Sequence, residues 1–116
     1  MSSTFKWKIA QKLELKWWKN YLNNKNVTEY LNWKKQYWTN FLIEIKASVN
    51  VNEQESVLDI GCGPAGIFTV LNTSTIYAVD PLLASYQTNL EHFNSSMYPN
   101  VTFKTASIEA FDAPFL

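Results

Sequence analysis

The sequence predicts an α/β chain in which N-terminal helices are followed by three strands with helices between them, the connectivity of a parallel sheet. Three observations predict it. Apolar residues recur at spacings of three and four through the first 47 positions, the period of one helix face. Three short apolar runs, near 57–60, 75–79 and 101–105, then read as strands. The first run stops at a glycine turn, Gly61, Gly63 and Gly66, and a helix-like segment follows it. Strand, glycine turn and helix open a βαβ unit.

Composition bounds the chain before any motif is read. Its 116 residues make about one domain with a modest core. At 47% hydrophobic and 17% charged, it is globular rather than disordered. The single cysteine, Cys62, can form no internal disulfide, and it sits between two turn glycines where a small side chain is wanted. No Cys and His cluster suggests a metal. No apolar run approaches the ~20 residues of a span, so no membrane partner is expected. The N-terminal lysines precede no apolar core, so no secretory signal is expected and the cytoplasm is the default location.

The net charge of zero hides an asymmetry. Residues 1–50 hold nine lysines against Glu14, Glu29 and Glu44; residues 51–116 hold Lys104 against seven acids. All five tryptophans precede residue 39, and there is no arginine. The chain therefore divides into an aromatic, lysine-rich helical region, 1–50, and an acidic α/β region, 51–116.

Taken in order, the first helix runs from about Thr4 to Tyr21. Asn20, Asn23, Asn24 and Asn26 break it. Thr28 is the expected N-cap of the second helix. Tyr30, Trp33, Tyr37, Trp38, Phe41, Leu42 and Ile45 form one face of that helix, which runs to about Ala47. The aromatic stripe is expected to pack the helices on each other or on the following domain. The sharper alternative has Trp17, Trp18, Trp33 or Tyr37 lining a substrate pocket. Aromatic and lysine interleaving could also touch nucleic acid. The lack of arginine argues against base reading, so nucleic acid is not the expected partner.

Ser48 to Gln54 reads as a linker. Val57 to Ile60 reads as a buried strand, and Ile67 to Leu71 as the start of a helix whose free N–H groups face the turn. Thr75 to Val79 is the second strand, ending at Asp80. Asp80 follows Gly61 by 19 residues, the spacing of an acidic residue that binds ribose hydroxyls. Leu82 to Phe93 reads as a helix with Leu83, Tyr86, Leu90 and Phe93 on one face. The only histidine, His92, is expected on that helix, solvated and far from the cleft. Val101 to Thr105 is the third strand.

The run LDIGCGPAG resembles the first motif of the class I S-adenosylmethionine-dependent methyltransferases, and AVDP resembles the segment that carries their ribose carboxylate. The resemblance covers residues 56–116. It implies a Rossmann-like sheet and S-adenosyl-L-methionine as cofactor. Asp59, Gly61, Cys62 and Gly63 would hold its methionine part and Asp80 its ribose. Pro81 and Leu82 follow Asp80 in that segment, where the family lays a residue against the adenine. Ser107 and the backbone of Ile108 would meet the adenine edge, although the family usually has Asp where this chain has Ser107. A nicotinamide site needs a turn that welcomes pyrophosphate, and Asp59 would be unhelpful there. S-adenosylmethionine carries a sulfonium and an ammonium and no phosphate, so Asp59 suits it better.

The family's sheet has seven strands and this sequence supplies three. The chain is therefore expected to be an N-terminal part of a longer methyltransferase. Its first strand would be an open edge that offers a route to self-association. The expected activity is methyl transfer to an acceptor of unspecified class, with the N-terminal helices capping the cleft and no residue placed as a catalytic base. Two alternatives stay open: a fragment of an NAD(P)-binding oxidoreductase, and a non-catalytic module whose aromatic helices bind a protein.

Overall fold

A computed structural model describes residues 3–73 and 75–107. Helix α1 spans Ser3–Leu22 and α2 spans Val27–Ile45. The cap of α2 is Asn26, not Thr28: its side chain accepts the Glu29 N–H at 3.0 Å. Asparagine in an extended conformation satisfies the free donor one turn in, and so fixes where the helix begins. The linker holds one 3₁₀ turn, Val51–Glu53.

Strand β1 is Ser56–Ile60, β2 is Thr75–Val79 and β3 is Val101–Lys104. They form a parallel sheet in the order β1-β2-β3, so the fold is α/β with a three-stranded parallel sheet. In register, Asp59 lies opposite Ala78 and Ile60 opposite Val79. The central β2 is the most enclosed strand; Ile76, Ala78 and Val79 are 1% exposed or less. β1 was expected to be buried and is instead half-buried, with Ile60 at its end 55% exposed. It is an edge strand among the described residues, because only β2 pairs with it.

Two expected helices are shorter than the sequence suggests. After the glycine turn the chain makes a single 3₁₀ turn, Ile67–Val70, rather than an α-helix. Thr69 and its neighbours are β-branched or aromatic, and Asn72 follows closely, so no second turn forms. Helix α3 covers only Leu83–Asn89, although the whole expected face, Leu83, Tyr86, Leu90 and Phe93, is buried.

The core is one cluster beneath the sheet and the helices. Phe68, Phe93, Tyr98 and Phe103 meet edge to face at centroid distances of 5.1–6.4 Å. Leu22 of α1, and Tyr30 and Leu31 of α2, join it from the helical region. Such aromatic pairs add about 0.5–1.5 kcal/mol each beyond area burial. His92 departs from expectation. It is buried, lies in the turn after α3, meets Tyr30 edge-on at 5.5 Å, and its Nε2 contacts the Lys25 carbonyl at 2.8 Å. It joins the α/β region to the helical one.

The aromatic stripe is divided. Tyr30 is buried and Trp38 half-buried, while Trp17, Trp33 and Tyr37 are more than half exposed and Phe41 is 40% exposed. Only part of it serves packing. No helix among the described residues is long and apolar enough to cross a membrane.

Candidate functional site

The site grows from the carboxyl end of β1. Gly61 and Gly63 both take positive φ, 62° and 63°, which an L side chain adopts only at a cost. Gly66 serves a different need. Its φ is ordinary, but a Cβ there would lie 2.5 Å from the Cys62 carbonyl oxygen and 2.6 Å from Asp59 Oδ2. The turn thus folds back tightly onto Asp59.

Asp59 explains that folding. Its Oδ2 accepts the Phe68 N–H at 3.1 Å, so the carboxylate pins the 67–70 turn to the strand end. Burial pushes its carboxyl up to about 6; the hydrogen bond from Phe68 opposes this and the charge of Asp80 adds to it. The Cys62 thiol is buried, and burial with the nearby charges of Asp59 and Asp80 pushes it far above its usual range. A thiol so disfavoured as thiolate is no nucleophile, in keeping with a steric role.

Asp80 stands where β2 ends, 5% exposed. Its Oδ2 accepts the Gly63 N–H at 3.0 Å and its Oδ1 the Leu82 N–H at 2.9 Å. The tip of β2 also holds the turn directly, since Val79 O accepts from Gly61 N at 2.7 Å and Cys62 N at 3.2 Å. Asp59, Gly61, Cys62, Gly63 and Asp80 are therefore brought together. Leu82 is near them through its N–H, but its side chain is buried in the core. Pro81 is half-buried beside it. Ser107 is half-buried beyond β3. Ile108 lies outside the described residues.

Three further residues lie beside the site: Trp18, one of the aromatic residues the sequence offered as lining a pocket, and Tyr86 and Glu14, which the sequence did not place there. The Trp18 ring of α1 would stand 3.7 Å from a Cβ on Gly63, so the indole covers the turn. Tyr86 of α3 meets Trp18 edge-on at 6.5 Å. Its hydroxyl is fully buried; burial pushes its pKa up, and the Trp18 side chain is the polar neighbour that opposes the rise. Glu14 lies one helical turn before Trp18. Burial raises its carboxyl, and the charge of Asp80 raises it further. The tryptophan spacing of α1 was the available signal, but nothing in it tells which face meets the turn.

Among the described residues no group of three His, Cys, Asp or Glu side chains could hold a metal ion. Cavities of about 380 and 350 Å³ lie along the helices, the first lined by Tyr21, Lys25, Glu29, Tyr30 and Trp33, and the second by Lys19, Asn23 and His92 among others. Neither touches the glycine turn. No protein-family model, curated protein or solved structure matches the chain.

Proposed function

We propose that this chain carries the cofactor-binding part of an S-adenosylmethionine-dependent methyltransferase, built on the first half of a Rossmann-like sheet. One observation carries the reading. Four N–H groups at the turn, where a pyrophosphate site offers free donors, are already engaged by the chain's own acceptors. Gly63 donates to Asp80, Phe68 to Asp59, and Gly61 and Cys62 to Val79. A diphosphate would meet two carboxylates in place of free donors. A 3₁₀ turn of four residues also offers no helix dipole to an anion. A cationic ligand is favoured in the same place, which weighs against the NAD(P) alternative.

The residues present fit the group. Each Asp80 oxygen accepts one backbone N–H, and a carboxylate has about four acceptor sites. Capacity for ribose hydroxyls therefore remains. Asp59 holds the turn and supplies negative charge. Bound S-adenosylmethionine would supply a methyl group on its sulfonium; the acceptor's lone pair forms the new bond, and the S–CH₃ pair returns to sulfur as a thioether. The protein's part is binding and alignment. The N-terminal helices cap the turn through Trp18, and the acceptor class stays open.

A second reading rests on the rings of Trp17, Trp33 and Tyr37, which stand more than half exposed. In it the helices bind a protein and the α/β unit is scaffold, with self-association through the β1 edge. Calorimetric titration separates the two. Saturable binding of S-adenosylhomocysteine without binding of NADH supports the methyltransferase reading. Binding of NADH alone overturns it, and binding of neither leaves the scaffold reading.

A further inference from the structure

We infer that the outward face of α1, continued by the aromatic row of α2, docks on an anionic phospholipid membrane, with the helix lying in the plane of the surface. The inference is independent of what the glycine turn binds.

Two observations carry it. The first is that α1 has two apolar rows where the fold uses one. Leu15, Trp18 and Leu22 pack on the core. Ile9, Leu13, Trp17 and Tyr21 follow one another at steps of four, so they share a second face. All four are exposed, Leu13 at 61% and Trp17 at 55%. The row does not stop at the end of the helix. Trp17 stacks on Tyr21 at 4.8 Å, Tyr21 meets Tyr30 at 6.2 Å, Tyr30 meets Trp33 at 6.1 Å and Trp33 meets Tyr37 at 6.3 Å. The exposed rings of α1 and α2 are thus one contiguous patch, and a patch of that kind marks an interaction site where scattered apolar residues would not.

The second is the charge beside it. Lys8, Lys12 and Lys16 also follow at steps of four, each one residue before Ile9, Leu13 and Trp17, and so form a parallel row along one flank. Lys25 lies 4.3 Å over the Tyr21 ring and Lys34 5.0 Å over Tyr37. Glu14, on the other flank, is the only acid of α1 against five lysines. An apolar face with a lysine flank is how a helix seats in a membrane interface: the apolar side chains enter the headgroup boundary and the lysines meet anionic headgroups. Tryptophan and tyrosine suit that boundary because each ring has an apolar body and a polar tip. Single-stranded nucleic acid would use the rings and lysines, but it gains little from Ile9 and Leu13, which offer no ring to stack on. A lipid interface takes aliphatic and aromatic side chains alike. A helix in the surface plane needs no membrane-spanning length, so the lack of a spanning helix among the described residues does not oppose it.

The test mixes the full 116-residue chain with vesicles of phosphatidylserine and phosphatidylcholine in equal parts, and with vesicles of phosphatidylcholine alone. Binding is read by co-sedimentation and by the blue shift of tryptophan emission. The anionic vesicles should bind at least about 10-fold more tightly than the neutral ones, and less tightly as salt rises. Leu13→Gln and Trp17→Gln should each weaken that binding about 10-fold. Changing Lys8, Lys12 and Lys16 together to Gln should weaken it about 100-fold at low salt, at roughly fivefold per lysine. Urea midpoints of Leu13→Gln and of the lysine variant should match that of the unaltered chain, because these side chains stand in solvent. No binding to either vesicle, equal binding to both, or binding that Leu13→Gln and Trp17→Gln leave unchanged would overturn the inference. Binding of an oligouridylate, or self-association, that the same substitutions abolish and that occurs without vesicle binding would give the face to a nucleic acid or a second copy, and would overturn it too.

Discussion

The indole Nε1 of Trp38 donates to the Ala65 carbonyl at 2.9 Å, across 27 residues of sequence. One tryptophan of α2 thereby anchors the outer bend of the glycine turn, while Trp18 of α1 covers its inner side. The helical region is part of the site's scaffold rather than an appended arm.

Trp38→Phe keeps most of the ring packing but leaves the Ala65 carbonyl without this donor. The expected cost is about 0.5–1.5 kcal/mol of folding stability. Urea unfolding with an unchanged slope would read it as a lower midpoint. An unchanged midpoint would mean that solvent replaces the indole without loss.

Gly66→Ala and Gly61→Ala should differ in cause and size. Alanine at position 61 meets nothing within 4 Å and costs only the strain of φ 62°, roughly 1–2 kcal/mol. Alanine at 66 would drive its methyl into the Cys62 carbonyl and Asp59 Oδ2, which are backbone and anchored side chain rather than a flexible tip. Overpacking of that kind should cost about 3 kcal/mol or more. Thermal melts of the two variants would rank them, and the reverse order would contradict the account of the turn.

Asp80→Ala should weaken binding of S-adenosylhomocysteine by about 1.5–3 kcal/mol, one to two orders of magnitude. It also strips the Gly63 and Leu82 N–H groups of their acceptor, so stability should fall as well. Asp80→Asn keeps one oxygen acceptor and should recover part of the stability. Calorimetry beside urea unfolding separates the two losses.

Asp59 sets a pH dependence. Its carboxyl sits at about 6 in the folded chain against an ordinary value of 3.8, chiefly through burial. The folded state therefore binds more protons than the unfolded state between these values. Stability should fall as pH rises from about 4 to about 6, then level off, by at most about 3 kcal/mol. Asp59→Asn should flatten that slope, measured as urea midpoints from pH 4 to 7.5, and should stabilise the chain at neutral pH. A slope unchanged in the variant would place the titration elsewhere.

Much of this architecture was legible in the sequence, because local chemistry decides it. Apolar runs with β-branched residues place β1, β2 and β3 within a residue or so of where they lie. The helix period places α1 and α2. Glycines at 61 and 63 are demanded by positive φ, and the 19-residue step to Asp80 sets it beside them because parallel neighbours in register end together. What the sequence left undecided depends on contacts between distant segments. Nothing local distinguishes a solvated His92 from one buried against Tyr30 and the Lys25 carbonyl. Nothing local tells which aromatic residues of one helical stripe face the core, since α1 and α2 each have more apolar surface than the small sheet can cover. The cover that Trp18 lays over Gly63 and the burial of the Tyr86 hydroxyl beside Trp18 are settled only when α1, α2 and the sheet compete for the same space.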